Sequence, residues 1–403
     1  MAPFSSEWDS KKLFPLETVR RAAEMGFCSL VIPTGHGGLG LSRHDTSLVF
    51  EALSYGDVPV TAYLTIHAMV SGVVTKHGSA EQKRKWLPKL AAAETLSAYA
   101  LTEPSSGSDA AAMRTTAKLV RDPRDGSEWF ELSGEKVFIS GGGVADLYLV
   151  MAKVENENPS SSSSSFSSTS SSNPTKSSKT SSITAFLIEK GTKGLSFGAP
   201  EKKMGWNAQP TTSVSLDKVK VRARDSVLGG WEGGKGDGGG TSGGGGFRVA
   251  MQALDGGRVN IGAISVGGGS RAVDVAREYC RHRTAFGGKT LSSFQATQFS
   301  LSDAITELCA SRCLVREAAR AIDESSPVAT FRAAAAKRLA TDAASRAADA
   351  ALQRLGGYGY LQEYGLERLV RDLRVHQIVE GTNEIQRVVM WRELERMDGV
   401  GGR

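Results

Sequence analysis

The chain has 403 residues, 40% hydrophobic and 23% charged, with a formal net charge of +6, which is enough for two or three structural units around buried cores. The positive balance is spread without a dense Lys/Arg block or interleaved aromatics, which argues against nucleic acid as the partner. Its four cysteines, Cys28, Cys280, Cys309 and Cys313, have neither metal-ligand spacing nor a disulfide framework, so a reducing compartment suits the chain and no metal is implied.

The first residues, MAPFSSEWDSKKLF, carry no apolar signal core. Residues 16–93 read as helices: LETVRRAAEMGF, DTSLVFEALSYG, a stretch to His77, and EQKRKWLPKLAAA. Together with the start they form an expected helical unit over 1–96. No apolar run is expected to reach the ~18 residues that cross a bilayer, and no membrane insertion is expected. Gly35, Gly37 and Gly40 match G-x-G-x-x-G, but Pro33 and Thr34 break the run before them and no alternating strand–helix units follow. A nicotinamide-binding fold is therefore disfavoured.

Across 97–228 the texture changes to short Val-, Ile-, Thr- and Phe-rich segments: SAYALT, TTAKLV, WFELSG, KVFIS, LYLVMAK, ITAFLIE, LSFG and TSVSLDKVKV. These predict a β domain. A Ser-dominated run at about 156–182 interrupts it as a disordered hairpin insertion. A Gly-rich loop at 229–246 ends it; there Gly234, Gly236 and Gly239 repeat the glycine spacing in a tract where such matches are nearly unavoidable. From 247 to 403 long helical patterns predict an antiparallel four-helix bundle. Cys309 and Cys313, four apart in one of them, are expected to pack in the core. The fold class is thus α+β multidomain: helical domain, central β-barrel-like domain, helical bundle.

Residues 371–386, RDLRVHQIVEGTNEIQ, put Glu380 beside Gly381 at a join between helices. Ile378 and Val379 would desolvate its carboxyl and raise the pKa, while the free amides of the helix beginning near Thr382 favour the charge. Thr382 or Asn383 can cap that helix. From these residues alone, a general base and a carboxylate that merely answers the helix dipole fit equally.

VEGTNEIQR resembles the C-terminal signature of the acyl-CoA dehydrogenases, and similar motifs run from about residue 8 to 395. The resemblance implies FAD as cofactor and Glu380 as the base that removes the α-proton of an acyl thioester. The developing enolate is then held by the Glu380 amide and a ribityl hydroxyl. AYALTEPSSGSDAAAMRTTA implies that Tyr99, Leu101, Thr102 and Ser108 line the flavin, Ser108 also touching CoA. In SGEKVFISGGG, Phe138, Ile139 and Ser140 would pack on the isoalloxazine, with Ser140 toward the nitrogen that receives hydride. RHRTAFG and SSFQ imply Arg283 at the pyrophosphate and Phe286, Phe294 and Gln295 near the cofactor; Arg suits a diphosphate because its planar fork bonds two oxygens. Gln353, Gly356 and Gly357 of QRLGGYGY would approach a neighbouring subunit's cofactor, although two glycines end a helix in any fold. Thr382, Asn383 and Glu384 would reach the adenosine end.

For the substrate, Asp255, Gly256, Gly257 and Arg258 occupy the acyl-CoA segment, with Gly381 and Arg392 also at the substrate. Gly257 stands where the isovaleryl-type branch carries its base, which leaves Glu380. GLSFGAPEKKMGWNAQPT, DGGRVNIG and RVHQIVEGTNE look most like the branch of valine breakdown and imply isobutyryl-CoA. Short straight-chain or 2-methylbutyryl-CoA is the alternative, with a non-catalytic flavin- or CoA-binding member as the other. The family also implies an electron-transfer flavoprotein as acceptor, a homotetramer and the mitochondrial matrix. It usually has a further helix before SSEWDSKKLFP and a presequence, so the N-terminal unit is expected to lack its first helix.

Overall fold

The computed structural model describes residues 1–155, 182–231 and 245–399. The expected Ser-rich insertion, but for its last residue, and most of the Gly-rich loop lie outside the described residues.

Five helices open the chain: α1 (Ser5–Lys11), α2 (Leu16–Glu24), α3 (Arg43–Gly56), α4 (Val58–His77) and α5 (Ala80–Ala91). Their starts follow from the sequence. Ser42 and Asp57 accept the N3 amides of α3 and α4, and Ser79 with Gln82 closes a reciprocal capping box on α5. α4 corrects one expectation, because over its 20 residues it is long and apolar enough to cross a membrane by length and composition. In the fold 83% of that window is buried, so α4 is the central core helix of the N-terminal unit. Its Thr, Ser and His residues masked the run: Thr61, Thr65, His67 and Ser71 are all buried and hydrogen-bonded within the fold.

The strands are β1 (Ser97–Ala100), β2 (Thr116–Arg121), β3 (Glu128–Ser140), β4 (Leu147–Glu155), β5 (Ser182–Glu189), β6 (Leu195–Phe197) and β7 (Thr211–Arg222). They make one sheet in the order β1-β4-β2-β3-β7-β6, with β5 on β4. β1 and β2 lie parallel to successive parts of β4, β1 at Leu147 to Val150 and β2 from Lys153 onward. WFELSG and KVFIS, read as separate strands, are one strand, β3, with register shifts against β7 at Leu132/Gly134 and Lys136/Ile139. The shifts bend the strand and re-aim its last residues. A short helix, α6 (Ala223–Ser226), closes the unit.

The C-terminal part is α7 (Gly246–His282), α8 (Gln295–Asp323), α9 (Ala329–Leu355), α10 (Leu366–Arg374) and α11 (Asn383–Met397). The Ala-rich face of α9, with Ala336, Ala340, Ala344 and Ala347 buried, lets α7 and α8 approach closely. Cys309 and Cys313 lie on the exposed face of α8, contrary to the expected core packing. The three units meet at α10. There Asp372 accepts the backbone amide of Trp206 from the β domain at 2.6 Å, and Arg368 pairs with Asp57, the cap of α4, at 3.2 Å.

Candidate active site

α10 runs into a 3₁₀ turn (Val375–Gln377), and the chain then reverses through Glu380 and Gly381 at φ values of 57° and 84°. Left-handed backbone is free to glycine but strained for glutamate, so the surroundings must hold it. Three side chains do so. Gln386 Nε2 donates to the carbonyls of Glu380 (3.0 Å) and Gly381 (2.8 Å), Lys337 Nζ of α9 donates to the Gly381 carbonyl (2.9 Å), and Thr382 caps α11 through the Ile385 amide. Thr382 is therefore the cap. Asn383 turns inward, accepting from Lys337 at 2.7 Å and donating to Asp342 at 2.7 Å.

The Glu380 carboxylate points at α7. A Cβ built on Gly257 would collide with Oε2 and lie 2.6 Å from Cδ, so glycine is the residue that leaves room for the carboxyl group. Oε2 is buried without a hydrogen-bond partner among the described residues, and so is the Tyr99 hydroxyl of β1. Burial pushes the Glu380 pKa up to about 7, against the opposing pull of Arg258 and Lys337. The negative charge of Glu380, added to burial, raises Tyr99. Of the two expected apolar neighbours, Ile378 is 51% exposed and Val379 packs on the core, while Gly257 of α7 stands directly against the carboxyl. Arg258, itself buried, is aimed by Asp255 at 2.7 Å, and Asp255 in turn accepts from Thr330.

Leu101 and Thr102 follow β1 and are fixed by a buried ion pair that sequence reasoning missed. Lys136 Nζ of β3 bonds the Leu101 carbonyl at 3.0 Å and Glu103 Oε1 at 2.7 Å, while the Glu103 carboxylate also accepts the Thr115 amide. Burial lowers Lys136 to about 8, with Glu103 resisting. Ser108 lies exposed on the same loop. At the end of β3, Ile139 is buried, Phe138 is 67% exposed with φ 58°, and the Ser140 hydroxyl accepts from Gln209 Nε2 at 3.0 Å.

The remaining expected residues form a second cluster. Arg283, Gln353, Gly356 and Gly357 line one open cavity of about 490 Å³ with Tyr279 and Tyr358. Phe286, in the hairpin after α7, is 84% exposed and packs edge-on to Phe294 at 5.7 Å, with Gln295 next to it. Glu384 and Arg392 lie exposed on α11. The structure thus separates a base cluster from an arginine-lined cavity whose residues include none of those around Glu380.

The sequence matches the models of the acyl-CoA dehydrogenase N-terminal domain over residues 1–94, middle domain over 98–219 and C-terminal domain over 244–395. The chain belongs to the acyl-CoA dehydrogenase family. It is 41% identical to the mitochondrial isobutyryl-CoA dehydrogenase of Bos taurus over 98% of this chain and 85% of that one. It is 40% identical to the Dictyostelium discoideum enzyme of the same name, over 99% and 86%. The butyryl-CoA dehydrogenase structure from Megasphaera elsdenii superposes with a TM-score of 0.83 at 34% identity, over 98% and 93%.

Like other acyl-CoA dehydrogenases, the protein is an FAD-dependent oxidoreductase, and its residues fit the cofactor. Two aromatic rings, Phe138 and Phe286, stand out from the surface in left-handed backbone, and the Gln209 side-chain oxygen beside Ser140 is buried without a partner. An arginine lines an open cavity of suitable size for part of a dinucleotide. Besides Lys136 and Glu103, sequence reasoning missed Lys337 and Gln209. Lys337 lies in an Ala-rich run that reads as ordinary helix, and its one signal was a basic residue at the buried period of that helix.

Proposed function

We propose that this acyl-CoA dehydrogenase α,β-dehydrogenates isobutyryl-CoA to methacrylyl-CoA, with Glu380 as the base. The carrying observation is the Glu380 carboxylate: buried, unpaired at Oε2, faced by Gly257 and shifted to about 7. A thioester α-proton is a weak acid, and a base poised near the working pH is the effective one. The α-proton goes to a carboxylate oxygen of Glu380, and the β-carbon gives up hydride. FAD, when bound, would supply the acceptor for that hydride.

Among the described residues no protein acceptor takes the Glu380 amide hydrogen, which leaves it to the thioester oxygen; one such donor is worth ~3 kcal/mol in the transition state. The likeness to named isobutyryl- and butyryl-CoA dehydrogenases supports short-chain acyl-CoA dehydrogenation. The branched substrate is favoured by Val379, whose small side chain leaves room for a branch at the α-carbon. Phe138, Ser140, Leu101 and Thr102 are assigned to the flavin ring, Arg283 to its pyrophosphate, Phe286 to packing beside the cofactor, and Gln353, Gly356 and Gly357 to the cofactor of a neighbouring subunit in an assembled homotetramer. An electron-transfer flavoprotein is the proposed acceptor and the mitochondrial matrix the proposed setting, as for the two eukaryotic relatives named mitochondrial.

Replacing Glu380 by Gln keeps the shape and removes the base. Turnover of isobutyryl-CoA is expected to fall by ~10⁴ or more while FAD stays bound. Near-normal turnover by Glu380→Gln would overturn the assignment, and faster turnover of butyryl-CoA by the unmodified enzyme would overturn the substrate.

A further inference from the structure

Lys337 is a fully buried lysine whose ammonium stands behind the base turn. Its two hydrogen bonds, to the Gly381 carbonyl at 2.9 Å and the Asn383 side-chain oxygen at 2.7 Å, both go to neutral acceptors. Among the described residues no carboxylate lies within ion-pair distance of it. A buried cation in that position is costly unless its charge acts on something, and neutral donors such as glutamine would serve the two acceptors at lower cost. The anions that its field reaches are Glu380, one residue before the carbonyl it holds, and, less strongly, Asp342 and Glu384.

We infer that Lys337 is a positioning residue of the acyl-CoA dehydrogenase base: its ammonium clamps the strained Glu380–Gly381 turn and keeps the Glu380 carboxylate ionised. The inference rests on Glu380 being the base. It explains why three helices converge here. α7 brings Arg258, held by Asp255; α9 brings Lys337 and Asp342; α11 brings Asn383 and Glu384. His376 of the 3₁₀ turn is kept neutral by burial and by Lys337, its Nε2 accepting from Trp206 and its Nδ1 bonding the Ser265 hydroxyl. Tyr99 faces the pair from β1 as a neutral phenol. The two positive groups acting on the base are therefore Arg258 and Lys337. Burial draws Lys337 down to about 7 while Glu380 and Asp342 hold it up, so the two groups titrate as a coupled pair.

The sign follows directly. Removing the ammonium withdraws an attraction that favours the carboxylate, so Glu380 protonates at higher pH and activity is lost at higher pH. In the FAD-loaded enzyme, Lys337→Met is expected to move the acid limb of kcat/KM for isobutyryl-CoA upward by about one pH unit, a further ~10-fold loss at pH values below the limb. Lys337→Arg, which keeps the charge, is expected to leave the limb in place. A second readout needs no turnover: the infrared carboxylate band that disappears in Glu380→Gln should titrate with a midpoint shifted upward in Lys337→Met. If Lys337→Met does not fold, Lys337→Gln, which keeps an N–H donor and loses the charge, carries the same test. An unmoved limb and midpoint in the uncharged variant overturn the inference, even with lower kcat or stability, because a purely structural residue gives that result. Full activity of Glu380→Gln instead overturns the reading beneath it.

Discussion

Gly257→Ala separates the chemistry of the site from the stability of the fold. Gly257 lies inside α7 with ordinary helical backbone, where alanine is the better residue by about 1 kcal/mol. The three nearest neighbours of the added methyl group are the carboxyl atoms of Glu380, with Cδ at 2.6 Å. An ordinary contact begins near 3.4 Å, so the carboxyl group, whose Oε2 is closer still, has to retreat by roughly 1 Å, and a misplacement of that order costs about 10²-fold in rate. The retreat is cheap for the fold because the carboxyl is the end of a flexible side chain. The variant is therefore expected to melt within a few degrees of the parent and to bind FAD, yet to be reduced by isobutyryl-CoA ~10²-fold more slowly. Thermal unfolding and single-turnover bleaching of the flavin absorbance measure the two effects separately. A variant reduced within about twofold of the parent rate would refute the placement of Glu380 against α7. A large loss of stability would refute the claim that the contact is with a movable group.

Two further outcomes follow from the charges. The Glu380 pKa is raised by burial to about 7, and the base must be ionised, so kcat/KM is expected to fall with unit slope as pH drops through that value; a profile flat down to about pH 5 contradicts the assignment. Lys136→Met leaves the Glu103 carboxylate buried without its cation and is expected to cost ~3–5 kcal/mol, read as a lowered denaturation midpoint. Lys136→Met with Glu103→Gln should recover much of that loss, and a double variant no better than the single one would show that packing, not charge, is at stake.

What the sequence made legible was local. Helix starts at Ser42, Asp57, Ser79 and Thr382 follow from cap residues, and the β domain from alternating short segments. The motif around Glu380 likewise pointed to a flavoenzyme through resemblance. What stayed hidden was non-local. The burial of Glu380 was ascribed to Ile378 and Val379, its near neighbours in sequence; Val379 does pack on the core, but Ile378 faces outward, and groups as far away along the chain as Gly257 and Tyr99 stand near the carboxyl. Lys136 and Glu103 are 33 residues apart, and nothing local links them until the sheet brings them together. The break in β3 has the same origin. Gly134 divides the apolar pattern, and only the partner β7 shows that the strand continues through a register shift.

The strained positions add an argument that neither the motif nor the fold supplies alone. Of the non-glycine residues with positive φ among the described residues, Lys12, Ala93 and Ser325 follow helix ends, where a left-handed residue closes the last turn. Phe138, Trp206, Lys218, Phe286 and Glu380 do not follow helix ends, and of these Phe138, Phe286 and Glu380 lie among the residues assigned to cofactor and base. Each is bulky or long, and each costs of order 1 kcal/mol or more in backbone energy. At Phe138 and Phe286 the strain holds an aromatic ring outward, 67% and 84% exposed, so the chain also forgoes the ~2 kcal/mol that burying each ring would give. Folding alone gains nothing from that arrangement. On the proposed assignment a bound cofactor would recover the burial of both rings, and at Glu380 the same kind of strain aims a carboxylate at α7. Three of the five costs thus fall at residues assigned to the cofactor or the base, where the proposed chemistry gives the strain a use.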